Sequence, residues 1–407
     1  MAAQGGAQRN FRILFLSLIL AGGLVPAWNW WETQKTASLA AACRAAILEG
    51  KWDPAQSLAE QWVSRSPQDA QAWLSLADVA KHRGDLAATA ECLGRIPTTD
   101  ESYLNSQMLR GDLLLDGLKR SDQAVEVWKA MLAVSPHANV AYQRLIYVYS
   151  MTLQRERMVK QIRVAIQNQA EPPEAYGYIL TAPNLVFTDG YLKVGQWLQA
   201  NPDDETLKVA QAVYAARTNP SKGMKMFGTS AVQVGDGARV MECLKDYPDN
   251  LELRAFVIEK AIGDANMAAL GRALQKLPIA AESDSRFWRY IGTFRDSQRR
   301  PKEAADAFVQ SIQLHPLDWK SHHELGAIQR VLGHPELAAK HAELGARGKQ
   351  LEREFMELPN ATQADAVLLE SLLRFAKDCG DQDVVNGLTF RLQTSGSSAP
   401  SNEAILP

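Results

Sequence analysis

The sequence predicts an all-α protein, a right-handed superhelical solenoid of antiparallel helix pairs preceded by one N-terminal hydrophobic helix. Three observations predict it. A set of core residues recurs after 34 positions, small residues stand where two paired helices must approach closely, and an uncharged run of 19 residues lies near the N-terminus. A fixed period of this length is typical of stacked helical hairpins, in which each repeat packs on its neighbours.

The uncharged run is Ile13–Trp31, which as a helix would be about 28 Å long and close to the thickness of a bilayer core. Arg9 and Arg12 precede it and tryptophans end it, a pattern that places the following chain outside the cytoplasm. Two interpretations stay open for the segment 1–35. It is a single-pass anchor that holds the repeats on the periplasmic side of the cell membrane, or a signal cleaved near Ala27, which would leave a secreted or periplasmic protein.

The first block of repeats is predicted over residues 36–172, with units that begin at Thr36, Ala70, Asn105 and Asn139. Each unit is expected to contain helices A and B. Small residues are needed near positions 8 and 20, where the two backbones meet, and large apolar residues at positions 4, 7, 11 and 24. A proline near position 32 would end helix B.

The second block is predicted over residues 251–352, where units begin at Leu251, Ser285 and Trp319 without any slip in the period. Its core positions recur in two successive units. They are Trp288, Ile291, Gly292, Ala304 and Phe308, followed 34 positions later by His322, Leu325, Gly326, Ala338 and Ala342.

This pattern resembles the tetratricopeptide repeat (TPR) family over most of residues 36–352. The residues that carry the resemblance are Trp288, Ile291, Gly292, Ala304, Phe308 and Pro316. The resemblance implies a concave wall lined by the A helices, chiefly at positions 2, 5, 9 and 12 of each unit. It implies partner binding and does not name the partner.

The remaining regions depart from the period. Residues 173–250 exceed two units by ten residues, so we expect either a glycine-rich insertion or hinge around Asn219–Gly237, or two degenerate repeats with a long turn. Residues 353–393 are predicted to form capping helices that turn near Gly380, and residues 394–407 to be disordered.

No catalytic motif is found, and the protein is predicted not to be an enzyme and to need no cofactor or metal. The nearest motif begins at His323-Glu324, but alanine stands at position 327, where a zinc protease helix needs its second histidine. Five histidines fall between 315 and 341, and we interpret them as ordinary core and surface residues. A net charge of −2 gives no general attraction to nucleic acid, and four scattered cysteines indicate no disulfide framework.

The inner wall of the second block offers the candidate site. Arg286, Arg289, Lys320 and His323 occupy wall positions in two adjacent units, and such charges would favour an acidic peptide or a C-terminal carboxylate. The predicted function is therefore a membrane-tethered, non-catalytic scaffold for a protein or peptide partner. The alternative is an assembly or accessory factor for an envelope enzyme or a secretion complex. The oligomeric state stays open.

Overall fold

The computed structural model describes residues 31, 33–217, 237–358 and 361–397. These residues form helices and turns, with no strand among them, so the predicted all-α class is confirmed for this part of the chain. Residues 1–30, which hold nearly all of the predicted hydrophobic helix, lie outside it. Among the helices that are described, none combines the length and the apolar character needed to cross a membrane.

The chain divides into two compact units, of which the first ends at Leu118 and the second begins at Lys119. The division falls inside the predicted block 36–172, and the predicted domain boundaries stay predictions. Unit 1 contains α1 over residues 33–48, then α2 (Trp52–Arg65), α3 (Ala70–His82), α4 (Leu86–Gly94), α5 (Tyr103–Asp112) and a π-helical turn, Leu113–Gly117.

The helix pairs of unit 1 close around small residues. Cys43 and Ala55, at the predicted positions 8 and 20, are fully buried, so α1 and α2 approach closely. Gly50 and Gly84 are 34 positions apart and have φ angles of 69° and 74°. Glycine adopts this left-handed conformation without strain, which explains why both helices end there.

Unit 2 contains fifteen helices of the described chain, with two short 3₁₀ turns between them. The helices are α6 (Ser121–Val134), α7 (Asn139–Met151), α8 (Arg155–Gln167), α9 (Ala175–Thr181), α10 (Gly190–Ala200), α11 (Glu205–Arg217), α12 (Ala238–Asp246), α13 (Leu251–Gly263), α14 (Met267–Leu274), α15 (Ser285–Ser297), α16 (Pro301–Leu314), α17 (Trp319–Val331), α18 (Pro335–Glu357), α19 (Ala366–Cys379) and α20 (Gln382–Ser397). The 3₁₀ turns are Ile279–Ser283 and Ala361–Gln363.

The predicted period appears directly in the A helices of the second block. The helices α13, α15 and α17 each have 13 residues and begin 34 positions apart, as predicted. Side-chain caps fix these starts, since Asn250, Asp284 and Asp318 each accept a hydrogen bond from a backbone amide of the helix that follows. The caps are themselves 34 positions apart.

Close packing of helices A and B depends on glycine at position 8. A Cβ atom on Gly292 would lie 2.6 Å from the ring of Phe308. A Cβ atom on Gly326 would lie 2.8 Å from the backbone nitrogen of Ala342, which cannot move aside. The predicted core position of His322 agrees with its 2% exposure.

The last helices of unit 2 contact helices from its first half. The C-terminal helix α20 packs on α8, and α18 packs on α9. Arg163 on α8 donates two hydrogen bonds to the carboxylate of Asp381, at 2.8 and 2.9 Å. Both residues lie in unit 2 and are separated by 218 positions, so this contact is not between neighbouring repeats.

Helices α20 and α12 bear on two predicted boundaries. Helix α20 continues to Ser397, so residues 394–397 are helical rather than disordered, and the hydroxyl of Thr394 bonds to backbone carbonyls one turn earlier. Residues 398–407 lie outside the described part. Of the predicted insertion Asn219–Gly237, residues 219–236 also lie outside it, while Gly237 precedes α12 as its N-cap.

Candidate binding surface on the inner face

The predicted concave wall begins at the first turns of α13, α15 and α17, and we call the surface formed by these turns the inner face. Glu252, Arg286 and Lys320 stand at position 2 of these helices, 34 residues apart. The Nη2 of Arg286 donates to Glu252 Oε1 and to Asp284 Oδ2, each at 2.6 Å. Arg286 is only 2% exposed, so its positive charge faces Glu252 and Asp284 of the same chain rather than solvent.

Arg289, at position 5 of α15, is also paired inside the protein. Its Nη1 donates to Asp318 Oδ2 at 2.5 Å, and the residue is 7% exposed. Asp318 accepts in addition from the hydroxyl of Ser321 at 2.8 Å. We expected Arg286 and Arg289 to present free positive charges. Instead, both are paired with buried carboxylates, which neutralise them. Their part in binding an external partner stays a prediction.

The other two predicted residues are more accessible. Lys320 is half-buried, and its Nζ donates to Asn184 Oδ1 at 2.7 Å. His323 is exposed, while its backbone packs closely on α18, where a Cβ on Gly345 would lie 2.9 Å from the Cα of His323. The structure thus places all four residues on α15 and α17, two of them buried and two within reach of solvent.

The inner face already holds a segment of the chain itself, residues 182–185, which we call the inner turn. Arg155 at the start of α8 donates to the carbonyl oxygens of Ala182 and Leu185, at 2.5 and 2.8 Å. Its Nε lies 3.2 Å from Glu252. Asn184 accepts from Lys320 and donates to Glu352 at 3.1 Å. Arg155 of α8 therefore binds the backbone carbonyls of the inner turn, and Lys320 of the inner face binds its amide side chain.

The electrostatics of the inner face follow from this pairing. Burial by itself would raise the pKa of Glu252, but the charges of Arg155 and Arg286 outweigh it and hold that pKa below its usual range. The pKa of Asp318 is likewise lowered, because Arg289 more than offsets burial. Burial lowers the pKa of Lys320, and the neighbouring charge of Arg289 adds to this effect. The carboxylates are thus held in their charged form.

Sequence reasoning missed three residues that contact the inner face: Arg155 and Asn184, which lie outside the second block, and Glu352, at its last position. Arg155 begins α8, Asn184 lies in a loop, and Glu352 lies in the long helix α18. The 34-residue period does not predict that any of these residues contacts position 2 of the A helices. One signal was present. Glu252 and Arg286 carry opposite charges at equivalent positions of adjacent units, which predicts an ion pair between repeats.

The histidine cluster forms one contact of its own. The Nδ1 atoms of His322 and His341 are 3.0 Å apart, and His322 Nε2 lies 3.0 Å from the carbonyl oxygen of Pro316. Burial lowers the pKa of both rings, that of His341 to about 4, so both are neutral near pH 7. Within the described residues, no group of three or more histidine, cysteine, aspartate or glutamate side chains is placed to hold a metal ion.

Comparison with known proteins adds little to this geometry. No protein-family model matches the chain, and no curated protein matches it in sequence. Solved structures do show similarity. The Cut9–Hcn1 hetero-tetramer of APC/C matches with 15% identity and a TM-score of 0.33, covering 88% of this chain and 79% of that one. The human IFIT1 dimer with m7Gppp-AAAA matches with 14% identity and a TM-score of 0.31, covering 88% and 89%.

Yeast Tom70 matches with 13% identity and a TM-score of 0.28, covering 89% of this chain and 77% of that one. TM-scores of this size support no conclusion about family or function. The class of protein defined here, an all-helical protein with helix pairs at a 34-residue period, rests on its own A helices and their caps.

Proposed function

We propose that this chain is a non-catalytic scaffold of TPR-type helix pairs that binds a protein or peptide partner. One observation carries the proposal. Arg155 and, on the inner face, Lys320 hold a turn of the chain by its backbone carbonyls and an amide side chain. Hydrogen bonds to the main chain are the sequence-tolerant part of peptide recognition, so a surface that makes them internally is chemically suited to a peptide.

The proposed partner surface adjoins the inner turn at the accessible end of the predicted wall. His323 and Lys320 are the anchors in this proposal, and an acidic segment is the favoured partner. Arg286 and Arg289 support that surface from below, because they hold Glu252 and Asp318 in place.

The test is capture of partners by the full-length protein, crosslinked in its native membrane and identified by mass spectrometry. His323→Glu reverses the preference of an exposed position without touching a buried pair. We expect it to reduce the captured acidic partner severalfold, because the new carboxylate repels an acidic segment. His334→Glu makes the identical substitution at another exposed histidine, just before α18, and is the matched control.

Equal capture by wild type and His323→Glu would refute the proposal that the partner binds at His323. Arg289→Glu is unsuited to this test, since it would bury a second carboxylate beside Asp318 and disrupt the fold. The helical circular dichroism of each variant must match that of the wild type before capture is compared.

The proposal includes tethering by the N-terminal segment, with the repeats on the periplasmic side of the cell membrane. Its support is the uncharged run Ile13–Trp31 with arginines before it and tryptophans at its end. A tether would raise the effective concentration of the scaffold near other envelope components. Protease digestion of the repeats in spheroplasts but not in intact cells is expected, and protection in both would argue against export. The mass of the mature protein distinguishes an anchor from a signal cleaved near Ala27.

A further inference from the structure

A cavity of about 380 Å³ lies beside the inner turn. It is bounded by α8, by Ala182 and Pro183, by the first residues of α15, and by the end of α16. All of these elements belong to unit 2. The volume falls in the range of small-molecule sites, which bury most of a ligand between apolar walls and a few polar groups.

Two polar side chains in the lining of this cavity have an unused nitrogen. Arg286 Nη1 and His315 Nε2 are buried and have no hydrogen-bond partner among the described residues. The two residues are 2% and 4% exposed. A buried polar nitrogen without a hydrogen-bond partner is unfavourable, and native proteins leave few of them. Arg286 Nη1 can only donate, and His315 Nε2 donates in the tautomer that carries its proton there. These two groups in one lining point to an occupant that supplies acceptor atoms.

The charge of the lining favours an anionic acceptor. Arg286 remains charged, and the exposed Lys160 stands in the same lining. Burial lowers the pKa of His315, so its ring is neutral near pH 7 and acts as a hydrogen-bonding group rather than as a cation. The lining also contains Asp284, which is already bonded to Arg286, and Glu156, which is exposed to solvent.

The rest of the lining is part polar and part apolar. Its polar members include Arg155 and Arg163, which are paired with Glu252 and Asp381. Val159 on α8, Pro183 in the inner turn and Leu314 at the end of α16 form part of the wall. An inorganic anion would leave these groups without a contact. An occupant that carries one acidic group and an apolar body would satisfy both parts of the cavity.

We propose that this cavity binds a small amphiphilic monocarboxylate, with its carboxylate toward Arg286, His315 and Lys160 and its apolar body against Val159 and Leu314. This site is separate from the partner surface at His323 and does not depend on the scaffold function. The ligand class follows from two buried nitrogens without partners, one of them the guanidinium of Arg286, from the accessible cation Lys160, and from the apolar residues of the same cavity.

The test is isothermal titration of the full-length protein with hexanoate, hexan-1-ol, acetate and inorganic phosphate. We expect hexanoate to bind more tightly than the other three, because only hexanoate has both the carboxylate and the apolar chain. Equal binding of hexanol would refute the role of the donors. Tighter binding of phosphate or acetate would refute the role of the apolar wall.

Two variants test the location. Val159→Phe fills the cavity without changing its charge, and Lys160→Gln removes the accessible cation. We expect each to weaken hexanoate binding by roughly fivefold or more. Val309→Phe and Lys349→Gln, which change residues outside the lining, are the matched controls. Hexanoate affinity that is unchanged in both Val159→Phe and Lys160→Gln would overturn the site.

Discussion

Glu252 is the residue whose replacement most directly tests the account of the inner face. It accepts from Arg286 at 2.6 Å and lies 3.2 Å from Arg155, and it is 8% exposed. The change Glu252→Gln keeps the size of the side chain and removes its charge. Two buried arginines then lose their shared counter-charge at the same time.

The expected cost is large. Removing one partner of a buried ion pair typically destabilises a protein by about 3–5 kcal/mol, because the remaining charge is left uncompensated. Asp284 still contacts Arg286, and two carbonyl oxygens still contact Arg155, so we expect a value near the lower end of that range. An exposed ion pair, Arg347–Asp378, serves as the control for the buried pairs of Glu252. Arg347–Asp378 has side chains that are 33% and 52% exposed, and such pairs contribute about 0–1 kcal/mol.

The assay is urea unfolding of the full-length protein, followed by far-ultraviolet circular dichroism, with hydrogen exchange to localise the effect. We expect Glu252→Gln to lower the midpoint by roughly 1–2 M urea and to speed exchange in α13 and α15. Asp378→Asn should shift the midpoint much less. If Glu252→Gln behaves like Asp378→Asn, the buried network does not stabilise this face and the reasoning is refuted.

The pH dependence supplies a second check on the same residue. The pKa of Glu252 is lowered in the folded protein, so its contribution is present above the pKa of an unfolded glutamate, about 4.3. That contribution is lost as the pH falls through the lower folded value. The difference in stability between wild type and Glu252→Gln should therefore shrink under acid conditions.

Three further outcomes are expected. Gly326→Ala should destabilise the protein by about 1–3 kcal/mol in urea unfolding, because the new Cβ would meet the backbone of Ala342. The control is Gly263→Ala, which has open space at its Cβ and should be neutral or slightly stabilising. Burial lowers the pKa of His341 to about 4, so the stability of the wild type should rise between about pH 4 and 6.5. We expect a rise of about 1–2 kcal/mol after allowance for solvent screening. His341→Phe should flatten this rise, and an unchanged slope would contradict the burial argument. Burial raises the pKa of Cys379 to about 12, so its alkylation by iodoacetamide at pH 8, followed by peptide mapping, should be far slower than that of a free thiol; fast labelling in the folded protein would contradict this.

The period predicted the local fold well, for physical reasons. Helix starts at Ala70, Asn139, Leu251, Ser285 and Trp319 were predicted and are observed, because each depends on neighbouring residues. A cap, a glycine at position 8 and an apolar stripe all act within one unit or between adjacent units. The third start was two residues late, since α5 begins at Tyr103 rather than Asn105.

The contacts of the candidate surface could not be predicted in the same way. Lys320 and Asn184 are separated by 136 positions, and Arg155 and Glu252 by 97. A period describes which residues occupy equivalent positions, but it does not show which distant loop packs on them. The sequence therefore predicted which helix face carries Arg286. It did not predict that Arg286 is buried, because α8 and the inner turn lie beside it only in the folded chain.

The pairing of Arg163 with Asp381 has a consequence for how this protein can change in length. In an open array of repeats, a unit can be added or deleted and the remaining interfaces survive. Here α20 must return to α8, so removal of one 34-residue unit would displace Asp381 from its partner and uncover both helices. We expect the repeat number of unit 2 to be fixed. Its folding should also be slower and more cooperative than in an open array, because the closing contact joins residues 218 positions apart.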